Sequence, residues 1–222
     1  MAGEPGALAT EGRDSTIAPV LLLRTLPARR PPLGTLGPPL AVPGDNQRML
    51  KQRDLGLLRL IAQRVAGAGS TTATDAVRWM TATQAQDYSS AVLAVALRTQ
   101  SRSLSAVRDA LDNGSVVRSW PMRGTLHFVA AEDLSWMLAL TAERSLSTAA
   151  KYREQLGLDL PTIERARKVA IKALTGSGHT SRADLLATWE KAGLQNVKEH
   201  GYRLIWHLAQ TGTLCLGPTD GR

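Results

Sequence analysis

The chain has 222 residues, 43% hydrophobic and 21% charged, with a formal charge of +8. That length allows one large or two small domains with real cores, and the charge favours polyanionic partners, nucleic acid ahead of an anionic membrane surface. A single cysteine, Cys215, excludes an intrachain disulfide, a CxxC pair and a cysteine zinc site; it suits a reducing cytoplasm, and no apolar run approaches the ~20 residues that span a bilayer.

Residues 1–50 are dense in Pro and Gly and show neither helical nor alternating period, so the whole segment is expected to be a disordered tail. Its apolar piece, 17–23, is broken by Pro19 and follows Glu4, Glu11 and Asp14, the wrong sign for a signal peptide. The tail holds five arginines against four acidic groups, a net +1, which leaves +7 on residues 51–222.

From residue 54, "DLGLLRLIAQRVA" puts Leu57, Leu58, Ile61 and Val65 on one helical face, expected to point inward. "TDAVRWMTA" predicts a short helix capped by Thr74. "DYSSAVLAVALRT" predicts a third, and "SLSAVRDALDNG" a fourth that starts at Ser103 and stops at Gly114. Strand texture follows in "SVVRSW" and "TLHFV", with a turn around "PMRG". Helices followed by a hairpin are the order of a winged helix.

The second half repeats that order. Helices are predicted at 132–140 and 142–156, after Pro161 up to Gly176, from Ser181, and over "NVKEHGYRLIWHLAQTG", with Val197, Leu204, Ile205 and Leu208 inward. "TLCLGP" reads as a strand and "PTDG" as a turn. The chain stops one residue later, which leaves that strand without an evident partner and suggests C-terminal truncation. The predicted fold is mainly α with short β-hairpins: tandem winged-helix (helix-turn-helix) domains over 51–130 and 131–222, the second incomplete.

Arg118, Arg123, Lys191, Lys198 and Arg203 lie on or near the predicted wings and recognition helices, where cations neutralise phosphates; a solvated helix face explains them as well. His200 and His207 are placed outward beside Lys198 and Arg203. Trp120 and Arg123 near the hairpin tip either stack on bases or, respectively, fill an inter-domain crevice and pair with a carboxylate. His127 alternates with Leu126 and Phe128 and faces solvent or a cleft, with no second ligand at zinc spacing. No GxGxxG, Walker loop, GxSxG or HExxH occurs, and no metal or cofactor is expected.

Two amides, Gln84 and Gln86, flank Ala85 just before the third helix. An amide does not titrate, so neither is a general base. Its carbonyl can hold a water in line or lie against developing positive charge. Locally, "TQAQD" also reads as a polar helix start with Asp87 as cap.

The stretches "LRLIAQRVAG", "QAQD" ahead of "AVLAVALRT", "VVRSWPMRGTLHFVAAEDLSWMLAL" and "LAQTGTLCLGPTDG" resemble the AlkZ-like family of winged-helix DNA glycosylases, "MRGTLH" most specifically. The resemblance runs from about residue 55 to 221. It implies a Gln–apolar–Gln catalytic motif at Gln84, Ala85 and Gln86, excision of N-alkylated bases and unhooking of interstrand crosslinks. It also implies tandem winged helices plus a β-rich C-terminal part, here missing. The expected protein is a monomeric, cytoplasmic, nucleoid-associated binder of alkylated or crosslinked duplex DNA through Arg118, Trp120, Arg123, His127, Lys198 and Arg203. The alternative is a non-catalytic winged-helix regulator, although no heptad zipper for dimerisation is present.

Overall fold

A computed structural model describes residues 15–19 and 52–219. The described chain is mainly helical with one small antiparallel sheet. In chain order the elements are β1 (Ser15–Pro19), α1 (Gln52–Ala62), α2 (Ala73–Met80), β2 (Thr83–Gln84), α3 (Tyr88–Ala96), α4 (Leu104–Asp112), β3 (Val116–Met122) and β4 (Thr125–Ala130). A 3-10 turn at Ala131–Asp133 leads to α5 (Leu134–Gln155), α6 (Leu160–Ser177), β5 (Thr180–Ser181), α7 (Arg182–Lys191), α8 (Val197–Gln210) and β6 (Leu214–Thr219).

Local chemistry sets most of these boundaries. Asp87, Ser103 and Ser181 cap α3, α4 and α7 by accepting the backbone N–H three residues on. The cap of α2 is Thr72, two residues earlier than the expected Thr74. Gly114 and Gly212 take positive φ just past α4 and α8. Two expectations about helix ends are corrected. The helix divided at residue 141 is one continuous α5, because Leu140, Thr141 and Ala142 contain no breaker and the Thr141 hydroxyl folds back onto the Met137 carbonyl. The helix α6 runs through Gly176 and ends at Gly178, whose φ of 72° closes it.

The sheet order is β2-β4-β3-β6-β1-β5, antiparallel at every junction. Two separate hairpin sheets were expected; one sheet runs through both halves instead, joined where Arg118 of β3 faces Leu216 of β6. The halves keep distinct cores. One gathers α2, α3 and α4 under Val116 and Phe128. The other gathers α6, α7 and α8 around Trp189 and reaches back to Ile17, Trp120 and Leu126. A third cluster, Val117, Val129, Leu134, Met137 and Cys215, packs α5 on the other face of the sheet. Burial pushes the Cys215 thiol up to about 12, so it is a core residue and not a nucleophile.

The supposed tail supplies a sheet strand. Ile17, 1% exposed, joins the second core, and β1 pairs with β6 on one side and β5 on the other. The expectation of disorder is therefore wrong for residues 15–19, and β6 has the partner that local reading could not find. The remainder of residues 1–50 lies outside the described residues, as do residues 220 and 221 of the turn expected at 218–221, while residues 218 and 219 continue β6. The apolar face of α1 is also corrected. Leu57 is 52% and Ile61 45% exposed, and no residue of α1 is buried against the described chain. Among the described residues, no helix is long and apolar enough to cross a membrane.

Candidate functional site

The site begins at β2, a two-residue edge strand. Thr83 and Gln84 pair with Phe128 and His127 of β4, and the Ala85 N–H continues the ladder to the Leu126 carbonyl at 2.7 Å. Extended backbone alternates side chains. Ala85 is therefore buried in the first core, while Gln84 is exposed and Gln86 half-buried. Asp87 then caps α3, its Oδ1 accepting the Ser90 N–H at 2.7 Å. That hydrogen bond, helped by the Arg118 charge, holds the Asp87 carboxyl below its usual range. The helix-start reading of "TQAQD" is thus right about Asp87 and silent about the glutamines.

Two features fix the segment. Arg118, only 7% exposed, donates from Nε to the Ala85 carbonyl at 2.9 Å and from Nη2 to the Gln86 carbonyl at 3.0 Å. Its guanidinium lies 6.0 Å from the Tyr88 ring, which in turn meets Phe128 edge-on at 5.8 Å. The Leu126 N–H donates to Gln86 Oε1 at 3.2 Å. This sets the amide orientation of Gln86 and occupies one acceptor position of its carbonyl. Among the described residues no side-chain hydrogen bond ties Gln84 to the sheet, and it is the more exposed amide.

The other expected site residues divide. His127 sits opposite Gln84, 8% exposed, with Nδ1 2.9 Å from the Thr125 carbonyl. Burial, reinforced by Arg123, pulls its pKa below the ordinary histidine value. Arg123 stands exposed at the β3–β4 turn with φ 57°, followed by Gly124 at 69°. Arg118 is corrected from a phosphate contact to an internal clamp, because a guanidinium buried to this extent and bonded to two backbone carbonyls cannot also reach DNA. Trp120 is corrected too. At 1% exposure it packs edge-on against Tyr202 of α8, 6.0 Å away, and fills the crevice between the halves. Its carbonyl accepts from Gln210 Nε2 at 2.8 Å.

Lys198 and Arg203 are not gathered with the glutamines. They stand on α8, Lys198 extended into solvent 3.7 Å from Glu190, and Arg203 stacked 4.3 Å over Tyr152. His207, expected outward, is buried, and burial together with the Arg153 charge lowers its pKa to about 4. Among the described residues no three His, Cys, Asp or Glu side chains come together to hold a metal ion. Sequence reading missed Ser119 and the backbone N–H of Leu126. A basic residue inside the apolar run "SVVRSW" was the one signal for the clamp.

Two orientable amides on a rigid edge, over a sheet that supplies donors, suit a reaction that needs a held water and charge stabilisation in place of proton donation. A family model described as DNA glycosylase AlkZ-like matches residues 77–222, from α2 to the end of the chain. No curated protein matches. Among solved structures, the Streptomyces sahachiroi DNA glycosylase AlkZ is similar in fold, with a TM-score of 0.60 and 24% identity over 74% of this chain and 45% of that one. The chain thus spans less than half the length of the solved structure it matches. The motif segment, the clamp, the hairpin and helices α3 to α8 all fall within the matched residues, and the chain belongs to the AlkZ-like DNA glycosylase family.

Proposed function

We propose that the protein binds duplex DNA and hydrolyses the N-glycosidic bond of N-alkylated bases, interstrand crosslinks included, acting as a monomer at the nucleoid. The observation that supports this most is the clamped motif. Gln84 and Gln86 are displayed at a sheet edge whose backbone is held by a buried arginine. An N-alkylated purine is already cationic, so its departure needs no proton donor. The C1′–N bond breaks with its electron pair passing to the base, and positive charge grows on the sugar. The Gln84 carbonyl lies against that charge and aligns a water on C1′. Gln86 shares this role through its second lone pair, while Leu126 holds it in place.

Phosphate contacts come from exposed cations: Arg123 on the turn and Lys198 on the opposite half. Division of the folded chain near residue 130 into two winged-helix units is part of this reading; the two helix-derived cores favour it and the one sheet that joins the halves weighs against it.

The test is incubation of the 222-residue chain with duplex DNA carrying 7-methylguanine, with free base measured by mass spectrometry. Release is expected. In active protein, Gln84→Ala should cost about 100- to 1,000-fold in rate, and Gln86→Asp, which keeps an acceptor for Leu126, should retain activity. DNA retention without release would favour the second reading, a non-catalytic winged-helix binder.

A further inference from the structure

Gln84, His127 and Ser119 lie opposite one another across β2, β4 and β3. Opposed residues of antiparallel strands project to the same face, so an amide, an imidazole and a hydroxyl form one polar row. Exposure falls along it: Gln84 is exposed, His127 is 8% exposed and Ser119 is 0%. The Ser119 hydroxyl is buried without a hydrogen-bond partner among the described residues. A buried hydroxyl left so marks a place where a small polar molecule, water foremost, would be held.

The imidazole has a defined tautomer. A carbonyl only accepts, so the contact of Nδ1 with the Thr125 oxygen puts the proton on Nδ1 and leaves the Nε2 lone pair free in the neutral ring. Burial keeps the ring neutral at physiological pH. Its paired neighbours, Gln84 and Ser119, carry no charge. Arg123 is the cation that bears on it from the turn. On its face of the sheet α5 packs through Leu134, Met137 and Leu138 against Val117 and Val129; the charged Asp75 and Arg78 belong to α2 on the Phe128 face, where they pair with each other and Arg78 also with Glu132.

Resting on the glycosylase reading above, we propose that His127 is the proton acceptor for the attacking water. Water oxygen donates a lone pair to C1′ as the C1′–N bond breaks. The bond pair neutralises the cationic base, one water proton passes to Nε2 of His127, and the other stays on the new C1′ hydroxyl. The imidazolium then returns its proton to solvent. The two glutamines orient and stabilise; the histidine supplies the basicity that neither amide has.

Two measurements test this. In single-turnover excision of 7-methylguanine from pH 5 to 8, the wild-type rate should rise about tenfold per pH unit below the ring's pKa and then level. His127→Asn, which can still donate to the Thr125 carbonyl, should be about 100-fold slower on the plateau, lose that acid limb, and keep wild-type melting and DNA affinity. A variant with the wild-type rate, or one that retains the limb, overturns the assignment. Second, 15N NMR of the wild-type ring should show the Nδ1–H tautomer, with its pKa pushed lower when the chain binds duplex DNA containing a cationic pyrrolidine abasic mimic. A ring unmoved by the bound mimic overturns the assignment even where the variant fails to fold. If the wild type releases no base, the glycosylase reading fails separately, and the NMR titration still decides the proximity of His127 to the sugar site.

Discussion

At the scale of single residues, the two glutamines are not equivalent. Gln86→Ala removes the acceptor of a half-buried backbone N–H, so it should lower stability by about 1–3 kcal/mol as well as the excision rate. Gln84 is exposed, and Gln84→Ala should leave stability unchanged; urea melts of both variants separate the effects. Arg118→Met should be worse than either, since it strips the bonds from the Ala85 and Gln86 carbonyls together, and Arg118→Lys should not rescue it, because one ammonium does not reproduce the planar fork. His207 gives a pH prediction. Its folded pKa is lowered to about 4 against ~6.5 for a free histidine, so the unfolded chain takes the proton first. Its contribution is therefore level above about pH 6.5, and stability declines as pH falls from there towards 4. In His207→Gln that part of the decline should disappear from melts taken between pH 7 and 4.

At the scale of elements, β1 decides how β6 is satisfied. A strand without a neighbour exposes a row of unpaired donors and acceptors, and Ser15–Pro19 covers that row along β6. Gly217 permits the approach: a Cβ there would meet Thr16 Oγ1 at 2.9 Å and the Ala18 Cβ at 3.2 Å. Gly217→Val should therefore expel β1, and hydrogen exchange at the Ile17 and Cys215 amides should accelerate. Ile17→Ala should cost about 2 kcal/mol, at the low end for a buried isoleucine because its strand is short. Removing residues 1–50 should destabilise the chain measurably by calorimetry, contrary to what a dispensable tail would do.

For the whole molecule, most of the charge lies on residues 51–222, and several of its exposed cations are already paired internally, as Arg78 with Asp75 and Glu132 or Arg167 with Glu164. Binding to DNA should rest on the rest of that charge. Log K should then fall with log salt by about 0.9 per phosphate neutralised. Fluorescence anisotropy between 50 and 300 mM salt should show a slope that drops by about one in Arg123→Ala, and by less in Lys198→Ala, whose ammonium lies 3.7 Å from the Glu190 carboxylate. A salt-insensitive affinity would exclude phosphate contacts as the source of binding. One sheet spanning both halves also predicts a single cooperative unfolding transition, in contrast to two separated ones.

Features that depend on a few neighbouring residues were legible in the sequence alone. The caps at Asp87, Ser103 and Ser181, the hairpin over Arg123 and Gly124, and the inward face of α8 each follow from groups within one or two turns of one another. So did the Gln84–Ala85–Gln86 segment, through its resemblance to a known motif. Contacts between distant residues were decided only by the tertiary structure. The Cys215 thiol lies against the Ala18 carbonyl, 197 positions away in the chain, and nothing local to residues 15–19 distinguishes them from the proline-rich stretch that follows. Arg118 reads as a surface group on a wing until packing buries it against two carbonyls of the motif segment; for Trp120 the sequence leaves base stacking and crevice filling both open, and the apolar wall of α8 decides for the crevice. Local sequence sets the backbone's period and its stops; burial and long-range pairing depend on which surfaces the fold brings together, and those choose which side chains remain free for chemistry.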